Sequence, residues 1–193
     1  MNEIADELTR LRVAPPDDLA VRTIVASGAA DRVAAADSPL GPVWVSWNGR
    51  GITAVSPLFD VMSADDFALR HRRHVYAAAA LPLDLEDAII AGLDRGETIG
   101  LPIDYRGLTE FQISVLETCA TIPPGSVRPY NWIAEEIHNP GSIRAVGTAL
   151  GKNPIPLLVP CHRVVRSDGS VGQYAFGADR KHDLLVREGA LLA

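Results

Sequence analysis

The chain has 193 residues, is 47% hydrophobic and carries a formal net charge of −6 at pH 7. This apolar fraction supports a packed core and excludes a disordered chain, and no apolar run approaches the roughly 20 residues needed to cross a bilayer. The charged N-terminus lacks the apolar centre of a secretory signal, so we expect a soluble, cytoplasmic protein.

The cysteines and histidines do not indicate a metal centre. The chain has two cysteines, Cys119 and Cys161, and five histidines, whose spacings match none of the common zinc motifs. A disulfide between the two thiols is not expected in a reducing compartment. We therefore expect no metal and no cofactor.

The predicted elements begin with a helical extension over residues 1–29. Hydrophobic residues recur at helical spacing in its first part, namely Ile4, Leu8 and Leu11. Pro15 and Pro16 end that helix, and Asp17 or Asp18 caps a second one that continues through Ile24. We expect the extension to pack on the body of the protein.

Residues 30–100 predict a small N-terminal domain. Short strand-like runs over 31–57, separated by turn signals, indicate an antiparallel sheet. Helical patterns follow over 64–77 and over 84–94, and Gly96 stops the second of these helices.

A second domain is predicted over residues 101–193, after a connector near residues 99–108. Thr109 is a good N-cap for a helix that continues to Thr121. The apolar stripe of this helix contains Cys119, which is therefore better explained as a core residue than as a chemical group.

Two short helices around a tight turn predict a helix-turn-helix. The first covers residues 132–138, the turn begins at Asn139, and the second covers 143–150 with Ser142 as its cap. The second helix of such a pair can enter a DNA groove. Because it carries small residues and one cation, Arg144, we expect close approach to DNA without sequence-specific contacts to the bases.

Charge is distributed unevenly along the chain. Residues 1–100 carry 9 basic and 15 acidic side chains, and residues 101–193 carry 9 of each. Residues 139–187 contain seven basic and three acidic side chains, which gives this segment a net charge of +4. A polyanionic partner is therefore expected at this part of the molecule.

The candidate chemistry lies in residues 153–166, where an apolar run ends at Pro160 and is followed by Cys161, His162 and Arg163. A lone cysteine in an apolar run usually packs as a small hydrophobe. A thiol becomes a nucleophile when its neighbours stabilise the thiolate. Here a proton acceptor and a cation follow at once, so we interpret Cys161 as a nucleophile.

After the cysteine, Val164, Val165 and Val171 flank a turn that indicates a hairpin or a loop. A glycine-bounded loop covers residues 172–177. Asp179 is predicted to cap a final helix that continues through Arg187.

The segment PCHRVV, with RAVGTALGKNPIP before it and GQY, a lysine and LLVREGA after it, resembles the O6-alkylguanine-DNA alkyltransferases, also called methylated-DNA–protein-cysteine methyltransferases. The resemblance is close over residues 109–189 and looser over 31–98. It implies an α/β (α+β) fold. A small ribonuclease-H-like N-terminal domain with an antiparallel sheet precedes a helical, winged-helix-like C-terminal domain that contains the helix-turn-helix.

The function implied by this resemblance is DNA repair by direct damage reversal. The alkyl group on O6 of guanine would move irreversibly to Cys161 in a single turnover, with transfer from O4 of thymine left open. The reactive carbon lies inside the duplex, so the base must first flip out of the stack. The implied partner is double-stranded DNA carrying O6-alkylguanine, bound by a monomer, with cooperative assembly on DNA left open and no membrane.

The resemblance also assigns roles to single residues. Cys161 is the acceptor, His162 deprotonates it through a water, and Glu188 orients that histidine. Asn153 ties the helix-turn-helix to the acceptor segment. Six residues are implied to contact the substrate or form its pocket: Tyr130, Val164, Ala175, Pro156, Tyr174 and Phe176. Five are implied to contact DNA: Arg144, which fills the gap left by the flipped base, with Ser142, Ala145, Gly147 and Lys152.

Three positions depart from the family pattern. Phe176 stands where the family usually has a glycine in the loop over the pocket, so we expect it to narrow the pocket or to stack on the base. Ser142 with Ile143, and also Thr148, replace smaller residues on the second helix of the pair, which predicts altered DNA contacts.

Two other functions compete with alkyl transfer. A cysteine hydrolase built on Cys161, His162 and Glu188 is disfavoured because successive side chains on an extended segment diverge. A non-enzymatic DNA-damage-binding or regulatory module is disfavoured because sensor relatives lack the acceptor cysteine, which this chain has.

Overall fold

A computed structural model describes residues 18–192. The first predicted helix of the N-terminal extension lies outside the described residues. The second is present as α1 (Leu19–Ser27), with Asp18 at the N-cap position. The helix ends at Gly28, whose φ of 77° is a left-handed conformation that suits glycine.

A four-stranded sheet forms the centre of the N-terminal half. Strands β1 (Asp31–Ala36), β2 (Val43–Asn48) and β3 (Gly51–Pro57) pair in antiparallel fashion, as predicted. A fourth strand, β4 (Val75–Ala77), pairs in parallel with β1, and the strand order is β3-β2-β1-β4. The sheet is therefore mixed, which corrects the expectation of a purely antiparallel one.

The predicted helix over residues 64–77 is wrong in its second half. Helix α2 (Ala64–His71) ends at Arg72, which adopts a left-handed φ of 52°. Beyond it, Val75 and Tyr76 are residue types that favour strands, and Val75 pairs with Asp31 of β1. The side chain of Arg73 also binds the Asp31 carboxylate, which holds the segment after α2 against β1.

The next helix, α3 (Glu86–Arg95), was predicted over 84–94 and ends at Gly96 as expected. It buries Ile89 and Leu93. Gly96 has a φ of 64°, and a side chain there would meet the guanidinium of Arg163 at 2.6 Å. Gly96 thus allows the end of α3 to approach the segment that carries Cys161.

The C-terminal half is mainly helical. Helix α4 (Glu110–Ala120) begins at a capping box in which the side chains of Thr109 and Gln112 each bind the other residue's backbone N–H. Cys119 is fully buried in the core, as predicted. Helices α5 (Tyr130–Glu136), α6 (Ile143–Gly151) and α7 (Ala178–Arg187) follow.

The helix-turn-helix is formed by α5 and α6, which are joined through a 3-10 turn at Pro140–Ser142. Helix α5 begins two residues earlier than predicted, with Pro129 at its N-cap position. The hydroxyl of Ser142 donates to the carbonyl of Asn139 at 2.7 Å, so Ser142 stabilises the turn and does not cap α6. Helix α6 packs against both α4 and α5.

A short parallel pair, β5 (Arg128–Pro129) with β6 (Val164–Val165), connects distant parts of this half. It places the start of α5 beside the residues that follow Cys161. The turn after β6 is closed by a hydrogen bond from the Arg166 N–H to the Ser170 carbonyl. Helix α7 has Gly177 at its N-cap position, and Asp179 lies in the first turn without being the predicted cap.

One hydrophobic core extends through both halves. It contains Val45 and Ile52 from the sheet, Leu116 from α4, Val146 from α6, and Leu158 before the cysteine. The mixed α/β class, with an N-terminal sheet followed by helices, is confirmed. The predicted boundary near residues 99–108 stays a prediction.

Candidate active site

Asn153 organises the turn between α6 and Cys161. Its side-chain amide donates to the Val159 carbonyl at 3.0 Å and lies 3.3 Å from the Cys161 sulfur. Its side-chain oxygen accepts the Ile155 N–H at 3.0 Å. The structure therefore brings the Asn153 side chain to the thiol, and its role in connecting the helix-turn-helix to the acceptor segment stays a prediction.

Cys161 begins a 3-10 turn that continues to Arg163, where an extended segment was expected. The residue is 7% exposed. Burial raises the pKa of Cys161, while the hydrogen bond from Asn153 and the charge of Lys181 act in the opposite direction. The isolated protein therefore holds a protonated thiol at neutral pH that needs a base to become a nucleophile.

His162, the predicted base, is held by a carboxylate. Its Nε2 lies 2.8 Å from Oε1 of Glu188, and its buried Nδ1 has no hydrogen-bond partner among residues 18–192. Burial lowers the pKa of His162, against the opposing influence of Glu188. The imidazole is therefore neutral near pH 7, with Nδ1 as the nitrogen that can accept a proton.

Arg163 corrects the expectation of a cation beside the thiol. Its fully buried guanidinium binds Glu188 at 2.8 and 2.9 Å. It also donates to three backbone carbonyls, those of Arg95, Gly96 and Ile122. Arg163 thus holds the carboxylate that orients His162 and fastens the acceptor segment to the end of α3.

The charge that acts on the thiol comes from Lys181 on α7, which the sequence analysis did not assign. Lys181 is fully buried, and its ammonium donates to the carbonyls of Val164 and Gln173. Burial lowers the pKa of Lys181 to about 8. The detectable signal was a lysine on the same helical stripe as Leu184 and Leu185.

A cavity of about 590 Å³ opens beside Cys161. Six of the predicted site residues line it: Tyr130, Arg144, Gly147, Cys161, Tyr174 and Ala175. Arg166, Gln173 and Thr148 line it as well, although they were not assigned to the site. The cavity therefore lies between the helix-turn-helix and the loop that precedes α7.

Other predicted residues lie outside the lining of this cavity. Asn153 contacts the Cys161 sulfur and Glu188 binds His162, but none of these three side chains lines the cavity. Pro156 and Val164 are buried, and Ala145 and Lys152 are exposed on or just after α6. Phe176 is 8% exposed and packs its ring against Phe59 and Tyr174. The structure therefore does not place Phe176 where it would narrow the cavity or stack on a base.

Comparison with known proteins places this arrangement in a family. Residues 110–190 match the family described as 6-O-methylguanine DNA methyltransferase, DNA binding domain. A methylated-DNA–protein-cysteine methyltransferase of Shigella flexneri is 37% identical over 161 residues, which cover 80% of this chain and 94% of that protein. This chain belongs to the methylated-DNA–protein-cysteine methyltransferase family.

Two further relatives agree with this family. The bifunctional transcriptional activator/DNA repair enzyme Ada of Escherichia coli is 38% identical over 165 residues, which cover 81% of this chain but only 45% of Ada. The crystal structure of Mycobacterium tuberculosis OGT in complex with DNA superposes with a TM-score of 0.66 and 35% identity. That match covers 82% of this methyltransferase-family chain and 93% of OGT.

Within residues 18–192, no cluster of three or more His, Cys, Asp or Glu side chains is arranged to hold a metal ion. No helix in the same range is long and apolar enough to span a membrane.

Proposed function

We propose that this protein repairs duplex DNA by transferring the alkyl group from O6 of guanine, and from O4 of thymine, to Cys161. The observation that carries the proposal is the Cys161 thiol in the wall of a cavity bounded by the helix-turn-helix. Membership of the methyltransferase family supports it. Transfer is irreversible, so each molecule acts once.

The reaction is a displacement at the alkyl carbon. The bond between this carbon and Cys161 Sγ forms while its bond to O6 breaks, and the electron pair of that bond leaves with the guanine. A thiolate suits this step because it is a soft and strong nucleophile. The thioether product is stable, which accounts for the single turnover.

Proton transfer links the groups around the thiol. The Cys161 proton passes through one bridging water to Nδ1 of His162, and Glu188 stabilises the imidazolium that forms. The departing guanine takes up a proton, for which the phenol of Tyr130 in the cavity wall is placed. Burial raises the pKa of Tyr130, so the phenol stays protonated until the base leaves.

DNA would approach along α6, whose small residues permit close contact with the duplex. Arg144, exposed near the start of α6 and lining the cavity, would fill the space left when the damaged base enters. Base flipping is needed because the reactive carbon is not accessible within the stack. A cytoplasmic location belongs to the same proposal, because both cysteines are free thiols, as a reducing compartment favours.

Intact-mass measurement after incubation with duplex DNA containing O6-methylguanine tests the proposal. We expect each protein molecule to gain one methyl group, located on Cys161 by peptide mapping. The Cys161→Ser variant should gain none, whereas the Cys119→Ala variant should react like the wild type. A wild-type protein whose mass does not change would refute the function.

A further inference from the structure

We propose that a contact from the N-terminal half fixes the loop over the cavity and thereby limits the size of the alkyl group that is transferred. The contact is an aromatic clamp formed by Phe59, Phe176 and Arg180. This inference rests on the proposed function and adds a determinant of its substrate range.

The loop in question, residues 172–177, carries three residues that line the cavity: Gln173, Tyr174 and Ala175. Gly172 and Gly177 bound it with φ values of 73° and 97°. Glycine adopts such conformations without steric cost, and its missing side chain leaves few constraints at either end of the loop. The position of the loop therefore depends on what its side chains and carbonyls contact.

Edge-to-face aromatic contacts connect this loop to Phe59 on one side and to His162 on the other. Tyr174 lies edge-to-face with Phe176, with ring centroids 5.3 Å apart, and Phe176 lies edge-to-face with Phe59 at 6.0 Å. On the other side, Tyr174 contacts the ring of His162 at 6.4 Å. Edge-to-face pairs at these separations are attractive, so the rings form a continuous chain from Phe59 to the catalytic histidine.

Arg180, on the first turn of α7, closes the clamp. Its guanidinium carbon lies 4.0 Å from the centroid of the Phe59 ring, within the range of a cation–π interaction. Its Nη1 donates to the Phe176 carbonyl at 3.1 Å. One side chain thus holds both the loop backbone and the ring from the N-terminal half.

Phe59 follows β3 and is 47% exposed. Its ring is one partner of Phe176 and the platform for Arg180, so its removal would loosen the loop at Phe176 without touching Cys161. Tyr174 could then move away from the cavity and make room for a bulky group beside the thiol. A methyl group needs no such room, so its transfer should change little.

The test compares single-turnover rates of the full chain on duplex DNA carrying O6-methylguanine or O6-benzylguanine. For Phe59→Ala we expect the benzyl-to-methyl rate ratio to rise roughly 3- to 10-fold, which corresponds to the loss of one edge-to-face pair. Arg180→Gln should shift the ratio in the same direction. Phe59→Tyr keeps the ring and should restore the wild-type ratio.

Met62→Ala is the matched control, because Met62 is 82% exposed and lies three positions from Phe59. It should leave the ratio unchanged. A role limited to stability would slow both substrates together, so an unchanged ratio in folded Phe59→Ala and Arg180→Gln would overturn the inference. Equal wild-type rates for methyl and benzyl groups would also overturn it.

Amide hydrogen exchange separates this inference from the proposed function. In Phe59→Ala, amides of residues 172–177 should exchange faster than in the wild type, while those of α4 should not change. Unchanged exchange in the loop would contradict the clamp. Absence of methyl transfer by the wild type, together with faster loop exchange in the variant, would refute the function but support the clamp.

Discussion

Oε1 of Glu188 accepts hydrogen bonds from both His162 and Arg163, each at 2.8 Å. The carboxylate therefore both orients the His162 imidazole and neutralises a fully buried guanidinium. Burial alone would raise the pKa of Glu188, but the hydrogen bonds from His162 and Arg163 outweigh it and lower the pKa to about 2.

Glu188→Gln should destabilise the protein in a pH-dependent manner. Because the folded-state pKa is below the usual value of 4.5, this carboxylate stabilises the fold above pH 4.5 and loses that effect as the pH falls towards 2. We expect a loss of about 3 kcal/mol in the free energy of unfolding at pH 7, since Arg163 becomes a buried unpaired charge.

Denaturant titrations at several pH values measure this effect. The difference between wild type and Glu188→Gln should shrink as the pH falls from 4.5 towards 2. Glu117→Gln, which changes an exposed carboxylate, should cost little at any pH. A difference for Glu188→Gln that is the same at every pH would show that charge is not the cause.

Asn153→Ala should impair the thiol more than the fold around it. The Asn153 amide lowers the pKa of Cys161 and also closes the turn through Val159. Its loss should raise the pKa of the thiol and slow methyl transfer by about tenfold or more, the effect of one hydrogen bond to a charged group.

The alkylation rate of Cys161 by iodoacetamide, followed against pH, reports the thiol directly. Asn139→Ala is the control, because Asn139 is exposed in the turn before α6. It should leave the titration unchanged. An Asn153→Ala titration identical to that of the wild type would mean that Asn153 acts only on the backbone.

Local sequence signals were sufficient for several parts of this site. Thr109 is predicted as the N-cap of α4 from its residue type and position, and the sequence itself places His162 next to Cys161. Asn153 was assigned through the family resemblance, and its side chain contacts Val159 and Cys161 in the following segment. Where the partners of a residue lie nearby in sequence, its position could be predicted before the fold was known.

Long-range packing could not be inferred in this way. Arg163 was expected beside the thiol, yet its partners Arg95, Gly96 and Ile122 lie far back in the chain. The β4 strand falls within a predicted helix, because the strand preference of Val75 and Tyr76 covers only two residues and the pairing with β1 is long-range. Phe176 is expected at the pocket from its position in the family's loop, and nothing in its own neighbourhood indicates the contact with Phe59.

Arg144→Ala should affect base flipping more than DNA binding. Arg144 lines the cavity from α6, so its side chain can fill the gap that the flipped base leaves in the duplex. The affinity for DNA, in contrast, depends on all phosphate contacts together. We expect transfer from duplex DNA to slow by about tenfold or more, since flipping costs a few kcal/mol, and transfer from single-stranded DNA to change less.

Single-turnover rates and fluorescence-anisotropy binding on the same oligonucleotides check this prediction. Arg187→Ala is the matched control, because Arg187 is exposed and paired with Asp94 away from the cavity. Its rates on both forms of DNA should equal those of the wild type. Equal slowing of Arg144→Ala on duplex and single strands would contradict a role in flipping.

Lys181→Met should separate reactivity from stability. Lys181 is a fully buried cation whose charge lowers the pKa of the Cys161 thiol. Its own pKa is lowered to about 8, so the folded state disfavours the charge, and the wild type should gain stability as the pH rises from about 8 to 10.5. An apolar residue of similar length removes both effects.

We expect Lys181→Met to raise the pKa of Cys161 and slow transfer. The free energy of unfolding at pH 7 should change little, because relief from burying the charge offsets the loss of the hydrogen bonds to the Val164 and Gln173 carbonyls. Thiol alkylation against pH and denaturant titration measure the two effects. Lys152→Met, which removes an exposed lysine, should weaken DNA binding and leave the thiol titration unchanged. If Lys181→Met leaves that titration unchanged too, the ammonium of Lys181 is not the cation that promotes thiolate formation.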